Sequence, residues 1–383
     1  RIIFKSVQET NSDRYYKKFK SYDHLITMLY TCLQKCTSLR EVTTGMMVCQ
    51  HKLFHLGLVH SPRRSTIADA NNKRSCDFFS SVYSGLYNHY YRFSPDSPLK
   101  GSIESRLFLI DSTTISLFTE IMKGAGSKGL NGKKKGGAKA HLVVKASEDI
   151  PVFAMITHAS KNDRDIFKNI ELPAGAIAVF DKGYNSYKQF EKWSKQSVTW
   201  ITRMRNDSSQ ELVKSYPVSS LESNAGVLSD QLIILGRISN RKTKRINVRK
   251  ICYNDKEKNR IFTFITNNFK YKASKIASIY KRRWQIELLF KRLKQTYPLR
   301  YFLGESENAI KTQIWCALIS DLLLKIIKDK IHKKWSYANL SGMIRLHLMN
   351  YMDLLSFLKN PEKSLLHYNE SKMDLQLKLF NTT

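Results

Sequence analysis

The order of five short apolar segments between residues 106 and 202 constrains the fold of this chain more than any other feature. The segments are residues 106–110, 140–146, 152–157, 176–180 and 198–202. The first three follow one another without a helical pattern between them, whereas a helical pattern at 186–195 separates the last two. Residues 140–146 and 152–157 are interpreted as adjacent strands joined at residues 148–151, and the last two segments with the helix between them form a strand–helix–strand unit. We therefore expect a protein of the α/β or α+β class with a mixed sheet flanked by helices.

Three early strands followed by a strand–helix–strand unit is the strand order of an RNase H-like core. From about residue 207 to residue 268 the pattern becomes strand-rich and polar, and it interrupts this core before the next helix. An inserted β-rich subdomain is the simplest account of that block.

The N-terminal part has a different pattern. Residues 21–91 carry apolar positions at helical spacing, as in Leu25, Leu29 and Leu33, and contain no convincing alternating strand. A short helix after residue 61 with basic residues at its start suits a helix-turn-helix-like DNA reader. Plain helical packing would produce the same pattern. We expect an N-terminal all-α DNA-binding domain, which ends near the Pro-containing segment 94–98.

These patterns predict five regions along the chain. They are an N-terminal helical DNA-binding domain (1–98), the first part of the RNase H-like core (99–206), an inserted β-rich subdomain (207–270), the second part of the core (271–335), and a C-terminal helical region with a tail (336–383). Because the chain begins at Arg1 and not at methionine, we expect further residues before it.

The charge balance points to a polyanionic partner. The chain has 64 Lys and Arg against 32 Asp and Glu, which gives a formal net charge of +32. Neutralising phosphates releases counterions and gives tight, salt-sensitive binding, so nucleic acid is the expected partner; a general abundance of lysine is the alternative. No apolar run reaches the roughly 18 residues of a membrane span, and six scattered cysteines suggest reduced thiols. We expect a cytoplasmic protein without a membrane partner.

One segment near the C-terminus combines an acid with three phosphate-binding side chains. It reads Tyr280-Lys-Arg-Arg283-Trp-Gln-Ile-Glu287-Leu-Leu-Phe-Lys-Arg-Leu-Lys294. We predict a single α-helix here, and at about 100° per residue the four numbered residues fall within an arc of about 60°, so that one helix face carries them all. Such a face could hold a metal ion beside a nucleic-acid backbone. An amphipathic helix with a basic polar face is the alternative.

Two aspartates follow apolar segments of the predicted sheet. Asp111 comes directly after residues 106–110, and Asp181 directly after 176–180. With Glu287 they could form a carboxylate cluster that needs cations, and Mg²⁺ or Mn²⁺ prefers such oxygen ligands. Two such ions support phosphoryl transfer. Each aspartate alone could equally be a turn or capping residue.

Other acids and histidines are weaker candidates. Asp149, Asp163 and Asp165 are interpreted as turn or helix-start residues. His141 and His158 could be metal ligands, but isolated histidines are more often packed side chains.

The segment from Tyr280 to Lys294 resembles the Y-(2)-R-(3)-E-(6)-K signature of the insertion-sequence-four family of bacterial DDE transposases. Leu109-Ile-Asp111-Ser-Thr-Thr and Val179-Phe-Asp181-Lys-Gly-Tyr184 are similar to the two other acidic blocks of that family. Residues 262–268 and 304–315 also resemble family stretches. The N-terminal helical segment is similar to the leading domain of one subgroup, so the resemblance covers nearly the whole chain.

This resemblance implies functions for individual residues. Asp111, Asp181 and Glu287 would be the catalytic acids that bind two Mg²⁺ or Mn²⁺ ions, while Tyr280, Arg283 and Lys294 would contact DNA phosphates. It implies cut-and-paste transposition, with double-stranded DNA (the terminal inverted repeats and the target) as partner and a dimer in the synaptic complex. A location at the bacterial nucleoid follows. A catalytically decayed transposase that acts as a DNA-binding inhibitor, and an RNase H-type nuclease, remain as alternatives.

Overall fold

The structure is a computed structural model that describes residues 1–91, 101–116, 137–236, 245–257, 259–331, 333–349 and 353–361. The predicted break at residues 94–98 and the tail beyond residue 361 lie outside these ranges. The chain forms two compact units. One comprises Arg1–Tyr90 with Leu293–Thr383, and the other comprises Tyr91–Arg292.

The helices of the described residues are α1 (Ile2–Thr10), α2 (Ser21–Gln34), α3 (Leu39–Val48), α4 (Gln50–Leu53), α5 (Arg64–Lys73), α6 (Asp77–Tyr91), α7 (Ile103–Arg106), α8 (Asp163–Phe167), α9 (Tyr187–Lys195), α10 (Ser220–Asn224), α11 (Ala273–Lys281), α12 (Trp284–Thr296), α13 (Glu307–Ile331), α14 (Tyr337–His347) and α15 (Leu354–Lys359). The strands are β1 (Leu107–Ser116), β2 (Gly137–Lys145), β3 (Ile150–His158), β4 (Ile177–Phe180), β5 (Thr199–Arg203), β6 (Gln210–Tyr216), β7 (Val227–Leu235), β8 (Ile246–Asp255) and β9 (Arg260–Thr266). Single 3-10 turns occur at Phe54–Leu56 and Lys182–Tyr184. None of these helices combines the length and the apolar character that a membrane span requires.

The unit Tyr91–Arg292 is built on a mixed sheet whose strand order is β3-β2-β1-β4-β5-β9-β8-β7-β6. β1 pairs antiparallel with β2, and β2 pairs antiparallel with β3. β4 runs parallel to both β1 and β5. This arrangement of the first five strands confirms the predicted mixed sheet and its RNase H-like order.

The β-rich block after β5 does not form a sheet of its own. β9 pairs antiparallel with β5 through Ile201↔Thr266, Thr202↔Ile265 and Arg203↔Phe264, and β8, β7 and β6 continue outward from β9. An exposed strand edge presents unpaired backbone groups, and β9 satisfies those of β5. The block is strand-rich as predicted, and its strands extend the core sheet.

The core of this unit is rich in aromatic side chains. Phe167 of α8, Phe180 of β4 and Trp193 of α9 are fully buried, and the ring centroid of Phe167 lies 4.7 Å from those of both Phe180 and Trp193. Phe190 stacks on Trp200 at 4.1 Å. Large offset and edge-to-face ring pairs contribute beyond the area that they bury. The packing therefore fixes β4 and β5, at whose ends Asp181 and Arg203 lie.

The described part of the other unit contains helices and no strand, as predicted for the N-terminal region. Its longest helix, α13, is buried along most of its length and packs on α2.

Two polar side chains of this unit, His24 and Arg74, are also buried. Nε2 of His24 donates a hydrogen bond to Oδ1 of Asn71 at 2.7 Å, and burial lowers the pKa of His24 to about 3, so that the ring is neutral. Arg74 lies over the ring of Tyr16 and donates to the carbonyl oxygen of Phe19.

Candidate functional site

Strand register brings Asp111 and Asp181 together. β1 and β4 pair in parallel from Leu107↔Ile177 to Ile110↔Phe180, and each aspartate is the next residue after the last pair. The expectation that Asp111 follows the end of its strand was wrong, because β1 continues to Ser116 through its pairing with β2. Asp181 does follow the end of β4. The two side chains therefore come from adjacent strands at the same level of the sheet.

Asp181 begins the 3-10 turn Lys182–Tyr184, and its Oδ2 accepts a hydrogen bond from the Gly183 backbone N–H at 3.3 Å. Its Oδ1 accepts from Nη2 of Arg203 at 2.5 Å. Burial alone would raise the pKa of Asp181, but the hydrogen bond and charge of Arg203 lower it below its ordinary value. Asp181 is therefore held as a carboxylate by a neighbouring cation.

The predicted single helix through residues 280–294 is wrong, because the chain breaks into α11 and α12 at Arg282 and Arg283. Hydrogen bonds of the tighter i→i−3 type cross this break, as from Arg283 N–H to the Tyr280 carbonyl oxygen at 3.0 Å. The four signature residues therefore do not share one continuous helical face. Tyr280 belongs to α11, Arg283 to the turn, and Glu287 to the first turn of α12.

Arg283 connects two of the predicted acids. Its Nη1 donates to Oδ2 of Asp111 at 2.6 Å, and its Nη2 donates to Oε1 of Glu287 at 2.5 Å. The side chain is only 15% exposed. Although burial disfavours its charge, the charges of Asp111, Tyr280 and Glu287 raise the pKa of Arg283 above its ordinary value. One guanidinium thus bridges the two carboxylates.

Asp111 is the acid whose charge is least favoured. Burial raises its pKa to about 6, and the charges of Asp181 and Glu287 add to this rise. Arg283 and the Ser112 backbone N–H, which donates to Oδ1 at 2.8 Å, act in the opposite direction. Because the charges of Asp181 and Glu287 both act on Asp111, the three acids share one electrostatic neighbourhood. Additional positive charge there would favour the ionised form of Asp111.

Tyr280 and Lys294 lie in different surroundings. Tyr280 is buried, its ring centroid is 4.8 Å from that of Phe264, and burial raises its pKa to about 12. It lines a pocket of about 320 Å³ with Arg203 and Arg283. Lys294 is exposed on α12, seven residues beyond Glu287. The structure therefore brings Tyr280 and Arg283 to one pocket and places Lys294 further along the helix.

Among the described residues, no group of three or more His, Cys, Asp or Glu side chains is arranged to hold a metal ion. Arginines occupy the immediate surroundings of the acids: Arg203 contacts Asp181, and Arg283 contacts Asp111 and Glu287. The donor chemistry nevertheless fits a hard divalent cation, since carboxylate oxygens are its preferred ligands.

Sequence reasoning missed Arg203. The rule that singled out Asp181, a polar residue at the end of an apolar run, also applies here. Phe180 pairs with Thr202 in register, so Arg203 lies beside Asp181 at the next position.

Asp149 occupies a turn with a positive φ of 57°, and Asp165 lies in the first turn of α8, as interpreted. His141 is 1% exposed and contacts Asp163, which makes Asp163 more than a helix-start residue.

Comparison with known proteins gives two family matches. Residues 103–322 match the family described as a transposase DDE domain. Residues 1–59 match a family described as a domain of unknown function. The first match contains Asp111, Asp181 and Glu287.

Three relatives are named as transposases. A protein from Sinorhizobium fredii is 31% identical over 268 residues, which cover 70% of this chain and 72% of the relative. The protein named for insertion sequence element IS5377 of Geobacillus stearothermophilus is 26% identical over 60% of this chain and 58% of its own length. The protein named for element IS4SA of Synechocystis is 26% identical over 69% of this chain and 71% of its own length. Among solved structures, the chain is similar to the piggyBac transposase in its synaptic complex with hairpin DNA, with a TM-score of 0.48, 11% identity, and coverage of 97% of this chain and 81% of that chain.

Proposed function

Since this chain belongs to the family of DDE transposases, we propose that it binds the terminal inverted repeats of an insertion sequence and cuts them in a cut-and-paste reaction. Family membership makes it an enzyme of the transposase class that depends on a divalent metal ion. The recognition of inverted repeats, the reaction steps and the residues that perform them are the proposal. The observation that carries it is the site geometry: the register of β1 and β4 brings Asp111 and Asp181 together, and Arg283 links Asp111 to Glu287.

Asp111, Asp181 and Glu287 would hold the metal, as two Mg²⁺ or Mn²⁺ ions. Ions bound there would activate an attacking hydroxyl group and stabilise the leaving oxygen of a DNA phosphodiester. The parallel register of β1 and β4 supports this assignment, because it presents two carboxylates side by side from a rigid sheet. Glu287 reaches the same place through its link to Arg283.

The basic residues around the acids would bind the DNA backbone. Arg203 and Arg283 keep their positive charge, since neighbouring acids raise the pKa of both guanidinium groups against the opposing effect of burial. A guanidinium suits bidentate contacts to phosphate, and an exposed lysine such as Lys294 supplies a point charge. Tyr280 would donate its hydroxyl proton, because its pKa is raised to about 12. The net charge of +32 would attract the DNA over a longer range.

Two copies of the chain would act together in a synaptic complex, since two element ends must be held for excision. The described residues contain a single set of the three acids per chain. Each copy could therefore serve one DNA end, with target DNA joined afterwards to the freed 3′ hydroxyls.

Cleavage of terminal DNA tests the proposal. The substrate is a duplex copied from either end of the element that contains this gene, incubated with Mg²⁺ or Mn²⁺. We expect cleavage by the parent and a loss of at least about 100-fold in Asp111→Asn, Asp181→Asn and Glu287→Gln. Glu171→Gln is the matched control, because Glu171 is 78% exposed and pairs loosely with Lys192 at 3.6 Å.

Three outcomes separate the alternatives. Cleavage by the three variants at the parental rate would refute the assignment of the acids. Tight binding of terminal DNA by the parent without cleavage in Mn²⁺ would favour a decayed transposase that acts as an inhibitor. Preference for an RNA–DNA hybrid over the terminal duplex would favour an RNase H-type nuclease.

A further inference from the structure

Asp163 is the centre of a polar network next to the proposed acids. Its Oδ1 accepts from Nζ of Lys139 at 2.7 Å and from Oγ of Ser112 at 3.1 Å, and it lies 3.4 Å from Nδ1 of His141. His141 is 1% exposed, Lys139 is 16% exposed and Asp163 is 22% exposed. A residue that only begins a short helix does not require contacts with Lys139, Ser112 and His141, so these contacts indicate a further role for Asp163.

The sheet explains why these residues converge. Lys139 and His141 are two positions apart on β2, and alternate strand residues point to the same face. Ser112 is the register partner of His141 on β1, so its side chain lies on that face too. Nε2 of His141 is 3.0 Å from Oγ1 of Thr157 on β3, which fixes the ring. Burial lowers the pKa of His141 to about 4, so the ring is neutral and acts as a hydrogen-bonding group.

Asp163 reaches the backbone beside both proposed metal-binding aspartates. Ser112 directly follows Asp111, and its backbone N–H donates to Oδ1 of Asp111 at 2.8 Å. Gly183 donates its backbone N–H to Asp181. A methyl group on Gly183 would lie 3.5 Å from Oδ2 of Asp163 and 3.9 Å from Oδ2 of Asp181. Asp163 therefore lies against the segments that orient Asp111 and Asp181.

We propose that Asp163, held by Lys139, is a positioning residue that fixes Asp111 and Asp181 for metal binding by accepting the hydrogen bond of the Ser112 hydroxyl and lying against the turn that contains Gly183. This inference rests on the proposed metal-dependent cleavage site. Neighbouring residues of a strand point to opposite faces, so Asp163 holds β1 at Ser112 from the face opposite to that on which Asp111 meets Arg283. Substituting a residue that orients metal ligands typically lowers metal affinity or activity by about 10- to 100-fold.

The test measures Mn²⁺ binding and DNA cleavage separately. Bound Mn²⁺ is determined from the electron paramagnetic resonance signal of the free ion, and cleavage of terminal DNA is followed in single turnovers at saturating DNA. For Asp163→Ala, we expect Mn²⁺ affinity and cleavage rate each to fall by about tenfold or more, while the Kd for DNA stays within about twofold of the parent. Asp165→Ala is the matched control, because Asp165 lies two residues further on the same helix and is exposed.

A second pair of variants keeps the test independent of folding defects in Asp163→Ala. Ser112→Ala removes only the hydroxyl that Asp163 accepts from, and Ser112→Thr keeps a hydroxyl in a residue that strands favour. We expect Ser112→Ala to lose Mn²⁺ affinity and Ser112→Thr to recover it. Thermal unfolding of all variants identifies any that fail to fold.

The outcomes distinguish this inference from the function on which it rests. If the parent binds Mn²⁺ and cuts DNA but Asp163→Ala and Ser112→Ala match the Asp165→Ala control, the positioning role is overturned and the proposed function stands. If the parent neither binds Mn²⁺ nor cuts terminal DNA, the proposed function fails and the inference fails with it. Loss of Mn²⁺ affinity in both variants, with recovery in Ser112→Thr, supports the role.

Discussion

Arg283 donates a hydrogen bond from Nη1 to Oδ2 of Asp111 at 2.6 Å, although 172 residues separate the two in the chain. The other terminal nitrogen of the same guanidinium binds Glu287. One cation therefore neutralises two acids that come from a strand and a helix. In the proposed active complex, divalent metal would supply positive charge at the same place, so Arg283 and the metal would compete for these carboxylates.

The first prediction concerns this competition. In Arg283→Ala, the metal-free protein should lose about 3 to 5 kcal/mol of unfolding free energy at neutral pH, because Asp111 and Glu287 are left without their cation. Mg²⁺ should then raise the melting temperature more than it does in the parent. Arg282→Ala is the control, since the neighbouring arginine pairs with Glu104 at the surface, where the expected loss is below about 1 kcal/mol. Equal responses of the two variants to Mg²⁺ would contradict the competition.

The second prediction follows from the raised pKa of Asp111, which is about 6 in the folded protein against an ordinary value of 3.8. The folded state binds this proton more tightly than the unfolded state, so the contribution to stability is present at low pH and is lost as the pH rises through about 4 to 6. Asp111→Asn removes this loss. In the absence of metal we expect it to be more stable than the parent by about 1 to 3 kcal/mol at pH 7.

The measurement is urea unfolding in the presence of a metal chelator at pH 4 and at pH 7. The difference between Asp111→Asn and the parent should be small at pH 4 and should grow toward pH 7. Taking this difference removes the contributions of the buried histidines His24 and His141, because the variant and the parent both contain them. Their lowered pKa values give stability the opposite pH dependence. A difference that is constant with pH would show that the pKa of Asp111 is not raised.

The mixed sheet of the core and the position of Asp181 after the end of β4 were predictable from the sequence. Buried strands of a mixed sheet appear as short apolar runs, and the first charged residue after such a run marks the level at which the sheet meets solvent. The end of β4 was therefore placed correctly. The end of β1 was not, because residues 111–116 are held in the strand by their pairing with β2, which lies far away in sequence.

The break between α11 and α12 could not be predicted from helix periodicity. The segment from Tyr280 to Glu287 contains no Gly or Pro, so helix propensity gives no reason for a break there. The break coincides with two arginines whose partners, Glu104 and Asp111, lie in distant parts of the chain. Helix propensity differs between ordinary residues by only a few tenths of a kcal/mol, roughly, so ion pairs with distant residues can outweigh it. The pairing of β9 with β5 could likewise not be predicted, because it joins strands that are far apart in the sequence.

The third prediction concerns a buried ion pair that anchors the segment before α11. Arg249 donates from Nε and Nη2 to the two carboxylate oxygens of Asp230 at 2.8 and 2.6 Å. Its Nη1 donates to the backbone oxygens of Asn268 and Tyr271. Lysine cannot reproduce this planar fork. Arg249→Lys should therefore lower the unfolding free energy by about 2 to 4 kcal/mol, and amide hydrogen exchange at residues 268–271 should become faster.

Lys250→Arg is the matched control for that prediction, because it makes the reverse exchange at the next position, where the side chain is only half-buried. We expect its unfolding free energy to stay within about 0.5 kcal/mol of the parent. If Arg249→Lys were as stable as Lys250→Arg, the four hydrogen bonds of Arg249 would not anchor the approach to α11.

The last prediction compares two glycines. Gly226, just before β7, has a φ of 103°, and a Cβ atom there would lie 2.5 Å from the backbone oxygen of Asn254. Asn254 also donates its backbone N–H to the Gly226 carbonyl oxygen at 2.7 Å, so the two segments cannot easily separate. Gly226→Ala should cost about 2 to 4 kcal/mol of unfolding free energy. Gly342, inside α14, has no described atom within 4 Å of the position that a methyl group would take, so Gly342→Ala should instead stabilise by about 0.5 to 1 kcal/mol. Urea unfolding of both variants gives opposite signs if backbone conformation and close approach control the first site, and equal signs would refute this.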